Sequence, residues 1–418
     1  MRIALLSDFH LGFKQAGREN EAFENAMQAM QLALEKGAKL VIISGDIFDK
    51  EVPNAETLLE AFKIFSLARN ANEKSTHIKK VARTQSETIS LKGVPVIAIH
   101  GTHEFRARDY VNYLQLFESA GFIVYLHAAK AIIEAQNERI VVHGLGGVPE
   151  KKALDALKLW NPKPEQNAFN ILVLHQSLKE FLPFDDEMIA TLSIGSLPEG
   201  FDIIVDGHLH WQNELVEGSK HLVLPGSTII TQMKRLEAKK PKGFYIIETK
   251  TKKLEFCALP NQRPFIYEKI EFENATVEEV LRALKERLSQ LVEKPHAKKP
   301  LIKIKLLGSL AKGHSQENID IKSIIKEFED KALISVDSNF FQESFTKKLT
   351  ELSDLQKQRK SIIELGFDIL EKNLAETDFN NAFDVRRVFK LLENNDVEKA
   401  RELLITAQES AEKIKKQF

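Results

Sequence analysis

The chain has 418 residues, more than one compact domain usually holds, so two or three domains are expected. It is 43% hydrophobic and 28% charged, as in globular proteins, and its net charge of −1 provides no basic field to attract a polyanion. The single cysteine excludes an internal disulfide framework and thiolate metal chemistry. No apolar run has the length of a signal-peptide core or a membrane span, so we expect a cytoplasmic protein without a membrane partner.

Apolar runs alternate with amphipathic segments over residues 1 to about 250, which is typical of strands interleaved with helices. The first predicted helix covers residues 21 to 36 and stops at Gly37. The next predicted helix places Leu58, Phe62 and Phe65 on one face. Because the apolar runs between these helices are continuous, the strands are expected to be buried on both faces.

A polar segment at residues 69–92 interrupts this pattern, and we interpret it as a solvated loop or a helix extension. A second module follows at residues 261–340. It begins with a predicted strand at residues 265–272, followed by Thr276 and Glu279 at the spacing of a helix capping box. The alternation around residues 302–306 predicts another, half-exposed strand.

Residues 341–418 form the third predicted region, after a first domain at residues 1–260 and the module at 261–340. The strand pattern is absent here, and apolar residues at helical spacing between Phe345 and Leu404 indicate about three helices. These helices have little to bury against each other, so they either pack on a partner protein or form an ordinary appended bundle.

Five strand-like runs in the first 210 residues end in aspartate or histidine. The polar residues at these ends are Asp8 and His10, Asp46, His103 and Glu104, His175, and His208 and His210. In an open α/β sheet, ligands bind outside the carboxyl ends of the strands, so these side chains are expected to converge on one crevice.

Carboxylate and imidazole ligands together suit a divalent metal ion. Asp8 and His10 are two residues apart on an extended segment, so their side chains share one side, and the same holds for His208 and His210. Two ions roughly 3.5–4 Å apart can share a carboxylate and hold a phosphoryl group between them. We assign that bridge to Asp46. Each motif alone is typical of a turn or of a core histidine, but the ordered set of five predicts a two-metal site.

The ordered motifs resemble the calcineurin-like metallophosphoesterase superfamily. Within it, residues 8–12 (Asp-Phe-His-Leu-Gly) and 45–49 (Gly-Asp-Ile-Phe-Asp) are similar to the DNA double-strand-break repair nucleases of the meiotic recombination eleven (SbcD) family. The segments at residues 224–228 and 242–245 also match that family. The resemblance implies an α/β fold: a β-sandwich flanked by helices, with a small α/β capping domain and a helical C-terminal tail.

The resemblance also implies the ligands of two ions, which we expect to be manganese, with magnesium as the alternative. The first ion would be held by Asp8, His10, Asp46 and His210. The second would be held by Asp46, His175, His208 and Thr102. His103 would lie near the scissile phosphate and stabilise the transition state or protonate the leaving oxygen, while Glu104 would orient the His103 imidazole.

Thr102 departs from the family pattern, which has an asparagine whose amide oxygen binds the second ion at this position. A threonine hydroxyl is a shorter ligand, so we expect a weaker second site, a water in place of the amide, or a changed metal preference. Activity is expected to survive at a reduced level. Loss of the chemistry with retention of a scaffold role is the alternative.

The resemblance implies 3′ to 5′ exonuclease activity on double-stranded DNA and endonuclease activity on single-stranded DNA, with sequence-independent binding to the phosphate backbone. The candidate backbone contacts are Lys14, Arg18, Arg106, Arg108, Lys234, Arg235, Lys239, Lys240 and Lys242. Weaker candidates are Lys298, Lys299, Lys303 and Lys305.

Two protein partners are implied by the same resemblance. Homodimerisation would use helices at about residues 55–68 and 110–119, and the helical tail would bind an SMC-like ATPase of the Rad-fifty (SbcC) type. The chain contains no Gly-x-x-x-x-Gly-Lys-Ser/Thr motif, so the ATPase must be a separate subunit.

Two rival functions use the same residues. A metallophosphatase acting on another phosphate ester would need almost the same ligands, but the flanks of the first two motifs and the long tail favour the nuclease. A DNA-tethering scaffold without turnover is the second rival, because of Thr102.

Overall fold

The computed structural model describes residues 1–83, 85–105, 111–135, 137–182, 192–341, 366–367, 370–371, 374, 383–393 and 396–405. The chain divides into two compact units. The first comprises Met1–Glu268, Gln290–Ile304 and Glu327–Ser335, and the second comprises Lys269–Ser289, Lys305–Lys326 and Val336–Phe418. The motif residues all lie in the first unit. Among the described residues, no helix combines the length and the apolar character needed to cross a membrane.

The strands of the described residues are β1 (Arg2–Leu6), β2 (Leu40–Ser44), β3 (Ser75–Ala82), β4 (Gln85–Lys92), β5 (Val96–Ile99), β6 (Val124–Tyr125), β7 (Ala129–Ala135), β8 (Glu138–Gly144), β9 (Phe169–Leu174), β10 (Ile203–Asp206), β11 (Asn213–Glu217), β12 (Lys220–Leu224), β13 (Gly243–Glu248), β14 (Lys253–Ala258), β15 (Phe265–Ala275), β16 (Leu301–Leu310) and β17 (Leu333–Phe341).

The helices of the described residues are α1 (Glu21–Glu35), α2 (Ala55–Arg69), α3 (Tyr113–Ser119), α4 (Glu150–Trp160), α5 (Arg235–Lys239), α6 (Val277–Val292), α7 (Ile321–Lys326) and α8 (Val385–Glu393). Residues 397–405 are also helical. The helices predicted from residue 21 and around Leu58 are therefore confirmed as α1 and α2.

Two large sheets form the first unit. A six-stranded sheet has the order β14-β13-β1-β2-β5-β6, in which β1, β2, β5 and β6 run parallel. An eight-stranded sheet has the order β11-β12-β10-β9-β8-β7-β3-β4, in which β12, β10, β9 and β8 run parallel. The motif strands β1, β2 and β5 thus belong to one sheet, and β9 and β10 to the other.

The main core lies between the two sheets. Ile3 and Ile42 of the six-stranded sheet share a buried cluster with Ile171 and Ile203 of the eight-stranded sheet. Side chains that alternate with these face outwards to the helices. On the six-stranded sheet, Leu6 and Val41 pack with residues of α1 and α2, and on the other sheet Leu172 and Leu174 pack with residues of α4. The predicted β-sandwich flanked by helices is confirmed.

The segment predicted as a loop or helix extension at residues 69–92 is a β-hairpin, so that interpretation is wrong. Strands β3 and β4 pair antiparallel from Ser75 opposite Lys92 to Ala82 opposite Gln85, and β3 continues the sheet beside β7. The prediction failed because the alternation of buried and exposed side chains, which is the sign of a strand, is hidden by the many charged residues of this segment. Ile78 is fully buried between exposed neighbours, as a strand in a sheet that is covered on one face requires.

The predicted elements of the second module are also present. The Thr276 capping box forms at the start of α6: the Thr276 backbone N–H donates to Glu279 Oε2 at 2.9 Å, and the Glu279 N–H donates to Thr276 Oγ1 at 3.3 Å. The predicted strands are β15 and β16, which form a three-stranded sheet in the order β15-β16-β17. In the tail, α8 and residues 397–405 are helical, whereas the prediction at residues 345–362 lies outside the described residues.

Candidate metal centre

The motif residues that follow five strands converge in the first unit. Six of them form two groups whose ligand atoms all lie within 4.8 Å of one another: Asp8, His10 and His210 in one, and Asp46, His175 and His208 in the other. We call these the first and the second cluster. Both sheets contribute to each cluster, because β1 and β2 end beside β9 and β10. The convergence expected at the strand ends is therefore present, although it joins two sheets and not one.

Four of the six cluster residues have a left-handed backbone. The φ angles are 52° at Asp8, 49° at His10, 48° at Asp46 and 74° at His208. Such a conformation costs about 1–3 kcal/mol for a residue other than glycine and persists only where the surroundings enforce it. Strain concentrated on the predicted ligands is typical of a functional site, where the backbone is held to aim particular side chains.

In the first cluster, two imidazole rings and one carboxylate group point towards one another. The Nε2 atoms of His10 and His210 lie 3.1 Å apart. Asp8 Oδ1 lies 3.9 Å from Nε2 of His10 and 3.7 Å from Nε2 of His210. This carboxylate oxygen is buried and has no hydrogen-bond partner among the described residues. Facing lone pairs and an unpaired buried carboxylate oxygen are unfavourable unless a cation lies between them, so the cluster fits a divalent metal.

In the second cluster, the Nδ1 atom of His175 lies 2.6 Å from the Ser44 carbonyl oxygen, to which it donates. The Nε2 atom of His175 faces Asp46 Oδ2 at 3.1 Å. Burial lowers the pKa of His175, but the adjacent Asp46 carboxylate outweighs burial and raises that pKa to about 10. The position therefore selects positive charge, which a metal ion can supply instead of the proton.

The imidazole of His208 completes the second cluster but is held less firmly. Its ring centroid is 5.2 Å from that of His175, and its side chain is 29% exposed. Its Nε2 atom is 3.9 Å from Oε1 of Glu150, the first residue of α4. Burial, together with the charge on His175, lowers the pKa of His208 to about 4, so the imidazole is neutral and can act as a ligand.

Two glycines let the backbone pass close to these side chains. A Cβ atom at Gly45 would lie 2.3 Å from Nδ1 of His175, and one at Gly101 would lie 2.1 Å from Oδ1 of Asp46. Any larger residue would displace a cluster side chain. The glycines that precede Asp46 and Thr102 therefore serve the site itself.

His103 lies beside the first cluster, and its side chain is exposed. Its ring centroid is 4.9 Å from that of His10, and its backbone N–H donates to Asp46 Oδ1 at 2.9 Å. The Nδ1 atom of His103 lies 2.8 Å from the backbone carbonyl oxygen of Asp49. Because a carbonyl only accepts, Nδ1 carries the proton and Nε2 is left for other chemistry.

Glu104 does not have the orienting contact that we predicted. Its buried carboxylate accepts the backbone N–H of Phe48 at 2.7 Å through Oε1 and that of Gly101 at 2.9 Å through Oε2. Burial, and then the nearby Asp46 charge, raise the pKa of Glu104 to about 8. Glu104 thus connects the loop after β5 to the loop after β2. The His103 ring instead contacts the backbone carbonyl of Asp49.

Asp49 is a site residue that sequence reasoning missed. Its Oδ1 lies 3.3 Å from Nδ1 of His10, and its carbonyl contacts His103. Its carboxylate lies within 4.8 Å of ring nitrogens of His10 and His103, which is close enough for the three residues to share a metal ion. The available signal was its place in the Gly-Asp-Ile-Phe-Asp motif. Asp49 lies beyond the end of the strand, so the alternation of side chains along a strand does not predict where its side chain points.

Thr102 lies beside the second cluster, with an exposed side chain. Its hydroxyl donates to Asp46 Oδ2 at 3.4 Å, the same oxygen that His175 faces. The structure thus places the threonine next to a predicted ligand, with its short side chain directed to that carboxylate.

Two of the predicted DNA contacts are wrong because their side chains are buried and bonded within the protein. The Arg18 side chain is 0% exposed; it donates to Glu21 Oε2 at 3.0 Å and to the Ile230 carbonyl at 2.6 Å. The Lys242 side chain is 3% exposed and forms an ion pair with Glu237 at 2.7 Å. Exposed candidates are Lys14, Lys234, Arg235, Lys239, Lys240 and Lys299.

The remaining candidates are less accessible or not described. Lys298, Lys303 and Lys305 are half-buried. Lys298 lies 3.6 Å from Glu24, and Lys303 donates to Ser335 Oγ at 2.9 Å. Arg106 and Arg108 lie outside the described residues.

The sequence of residues 1–212 matches the Calcineurin-like phosphoesterase family. This span covers both clusters and about half of the chain. The chain therefore belongs to the calcineurin-like phosphoesterase family, and the predicted enzyme class, a metal-dependent phosphoesterase, is confirmed.

Within this class the chain is similar to double-strand break repair proteins. It is 27% identical over 259 residues to the DNA double-strand break repair protein Mre11 of Saccharolobus solfataricus, covering 59% of this chain and 60% of that protein. It is 27% identical over 391 residues to Mre11 of Archaeoglobus fulgidus, covering 84% and 80%. It is 24% identical over 317 residues to the human double-strand break repair protein MRE11, covering 65% and 43%. The predicted resemblance is confirmed, and the chain spans 60% of the first of these relatives.

Proposed function

We propose that this protein is a two-metal DNA nuclease that processes DNA ends in double-strand break repair, with 3′ to 5′ exonuclease activity on duplex DNA and endonuclease activity on single strands. The observation that carries the proposal is the pair of adjoining ligand clusters with the exposed His103 beside them. The similarity to proteins named for double-strand break repair supports DNA as the substrate.

The proposed ligand sets follow the clusters. Asp8, His10, Asp46 and His210 would hold the first ion. Asp46, His175, His208 and Thr102 would hold the second. Oxygen and imidazole nitrogen ligands favour manganese, with magnesium as the alternative. When bound, two such ions polarise a phosphodiester and lower the pKa of coordinated water.

His103 is the proposed catalytic residue outside the ligand sets. Its Nδ1–H is fixed by the Asp49 carbonyl, so Nε2 is the atom left to face a substrate. When the ring carries a second proton on Nε2, that N–H can stabilise charge on the scissile phosphate or give its proton to the leaving oxygen. Glu104 acts on this step only through the backbone, because it joins the loop carrying His103 to the loop carrying Phe48.

The exposed cations near the clusters support binding to the DNA backbone. Arg235 and Lys239 are the first and last residues of α5, and Lys234 and Lys240 flank it, so one short segment carries four exposed positive charges. Contacts of this kind add affinity without reading the sequence.

Exposed apolar side chains support two protein partners. The first group lies around α2 and α3 and suits a homodimer interface: Val52, Leu59, Phe105, Val111 and Leu116. The second lies on α8 and residues 397–405 and suits the SMC-like ATPase: Phe389, Leu392, Val397, Leu404 and Ile405. Apolar groups of this kind mark interaction surfaces more often than isolated exposed residues do.

A catalytically weak scaffold is the second candidate, and Thr102 favours it. The hydroxyl of Thr102 lies against Asp46, whereas an asparagine could extend an amide oxygen towards an ion. A scaffold would bind DNA and the ATPase without turnover.

The test is cleavage of end-labelled duplex DNA with Mn²⁺ or Mg²⁺. We expect wild type to shorten the labelled strand and His103→Gln to reduce the rate by about 10²–10⁴-fold while still binding Mn²⁺. His77→Gln, which replaces an exposed histidine on the β3–β4 hairpin, is the matched control and should cleave normally.

Three outcomes separate the rival functions. If wild type is inert and Thr102→Asn cleaves, the protein is a scaffold weakened at the second site. If neither cleaves DNA but wild type hydrolyses a small phosphate ester with Mn²⁺, the protein is a metallophosphatase. If wild type and His103→Gln cleave equally fast, the role assigned to His103 is wrong.

A further inference from the structure

The segment Ser227–Thr231, which follows β12, contacts two of the three residues of the first cluster. The Thr228 backbone N–H donates to the carbonyl oxygen of Asp8 at 3.3 Å, and the Ser227 N–H donates to that of His210 at 3.3 Å. The side chain of Thr231 reaches the ring of His210, with Oγ1 2.9 Å from Nδ1. One short segment therefore fixes both the backbone and a side chain of the cluster.

The contact of Thr231 determines which nitrogen of His210 can bind a metal. The Nε2 atom of His210 faces Asp8 Oδ1 and Nε2 of His10. Nε2 can act as a ligand only if the ring proton is on Nδ1, and Nδ1–H then needs an acceptor. The hydroxyl oxygen of Thr231 is in position to be that acceptor. The carboxylate oxygen Oε1 of Glu237 also faces Nδ1, but at 3.9 Å it lies beyond hydrogen-bond distance. Loss of the Thr231 hydroxyl would therefore leave Nδ1–H without an acceptor at hydrogen-bond distance.

Lys242 contacts the backbone of the same histidine. Its ammonium donates to the His210 carbonyl at 2.6 Å, to Ser227 Oγ at 2.8 Å and to Glu237 Oε1 at 2.7 Å. These bonds use all three N–H donors of a buried lysine, so its position is fully determined. The charge of Glu237 compensates the buried ammonium, as a buried ion requires.

We propose that Thr231 is a positioning residue that holds His210 as a ligand of the first ion, with the Lys242–Glu237 pair fixing the backbone beneath it. The inference rests on the proposed metal site but concerns residues that the ligand sets do not include. Lys242, which sequence reasoning assigned to DNA, thereby has a role inside the protein.

The test uses Thr231 because each of its variants removes one chemical group from the side chain. Thr231→Val keeps the shape and removes the acceptor, whereas Thr231→Ser keeps the hydroxyl. Thr88→Val, on the exposed strand β4, removes a hydroxyl far from the clusters and is the control. Mn²⁺ binding to the metal-free full chain is measured by isothermal titration calorimetry and by the electron paramagnetic resonance of bound Mn²⁺, with thermal unfolding of the metal-free protein alongside.

We expect Thr231→Val to weaken one of two binding phases by about 10–100-fold, with Thr231→Ser and Thr88→Val within about three-fold of wild type. Unfolding of the metal-free Thr231→Val protein should shift only by what the loss of one partly buried hydrogen bond predicts, and Thr231→Ser should unfold as wild type does. Binding by Thr231→Val equal to wild type would overturn the inference. A Thr231→Ser protein as weak as Thr231→Val would also overturn it, because the methyl group and not the hydroxyl would then be responsible.

The outcome remains separate from that of the nuclease assay. Wild type that binds two Mn²⁺ ions but leaves DNA intact would contradict the proposed function and not the positioning role. Wild type that binds no Mn²⁺ would overturn both.

Discussion

The two ligand clusters adjoin each other but differ in how their histidines are supported. In the first cluster, a side-chain oxygen lies near the second ring nitrogen of each histidine: Asp49 Oδ1 is 3.3 Å from Nδ1 of His10, without hydrogen-bond geometry, and Thr231 Oγ1 is 2.9 Å from Nδ1 of His210. In the second cluster, His175 has the Ser44 carbonyl, but the His208 side chain is 29% exposed and its Nε2 atom lies 3.9 Å from Oε1 of Glu150.

This difference predicts unequal metal binding. Partners that fix the tautomer and orientation of a ligand raise its affinity for the ion, and preorganised side chains lose less entropy on binding. The first cluster should therefore bind its ion more tightly. The second should exchange its ion more readily, the more so because Thr102 provides only a short hydroxyl beside Asp46.

The largest expected effect is that of Asp46→Asn. Asp46 faces His175 and accepts the N–H of His103, and its charge also acts on His10. Neutralising it should reduce DNA cleavage by at least about 10²–10³-fold and abolish the weaker Mn²⁺ phase. Gel assays and calorimetry measure the two effects. Two intact binding phases in this variant would show that Asp46 is not a shared ligand.

The second-largest effect should be a gain in Mn²⁺ affinity. Thr102→Asn should strengthen the weaker Mn²⁺ phase by about 10–100-fold, because an amide oxygen can reach an ion that the hydroxyl does not. The tighter phase should stay as in wild type. Thr102→Val is the matched control and should not strengthen either phase. If the asparagine variant binds Mn²⁺ as wild type does, the clusters differ for a reason other than Thr102.

The smallest effect should come from Asp49→Asn. The substitution removes the carboxylate beside His10 but keeps the backbone carbonyl that holds His103. We expect the tighter Mn²⁺ phase to weaken by only about 10-fold, because the Asp49 side chain is partly exposed and its contact with Nδ1 of His10 lacks hydrogen-bond geometry. At saturating Mn²⁺ the cleavage rate should return to that of wild type. A persistent loss at saturation would mean that Asp49 also acts in the chemistry.

The sequence predicts the site residues that directly follow strands, because the ends of strands can be located from the sequence. Asp8 and Asp46 follow continuous apolar runs, so their place at a carboxyl end needs only periodicity. Arg18 and Lys242 were misassigned because charge in a sequence suggests exposure, while burial depends on partners far along the chain, such as Ile230 for Arg18 and His210 for Lys242. The hairpin within residues 69–92 was missed because only one fully buried residue on each strand, Ile78 and Leu91, carries its pattern among many charges.

The sequence by itself determined the class of protein, the sandwich and the residues that meet at its site, because local periodicity and the order of motifs along the chain carry that information. Only the tertiary structure decided which atoms face each other. The partners of His210 are Thr231 and Lys242, and that of His103 is the carbonyl of Asp49. Hydrogen-bond direction depends on side-chain rotamers and on backbone angles such as the positive φ of Asp8, which packing between distant segments fixes.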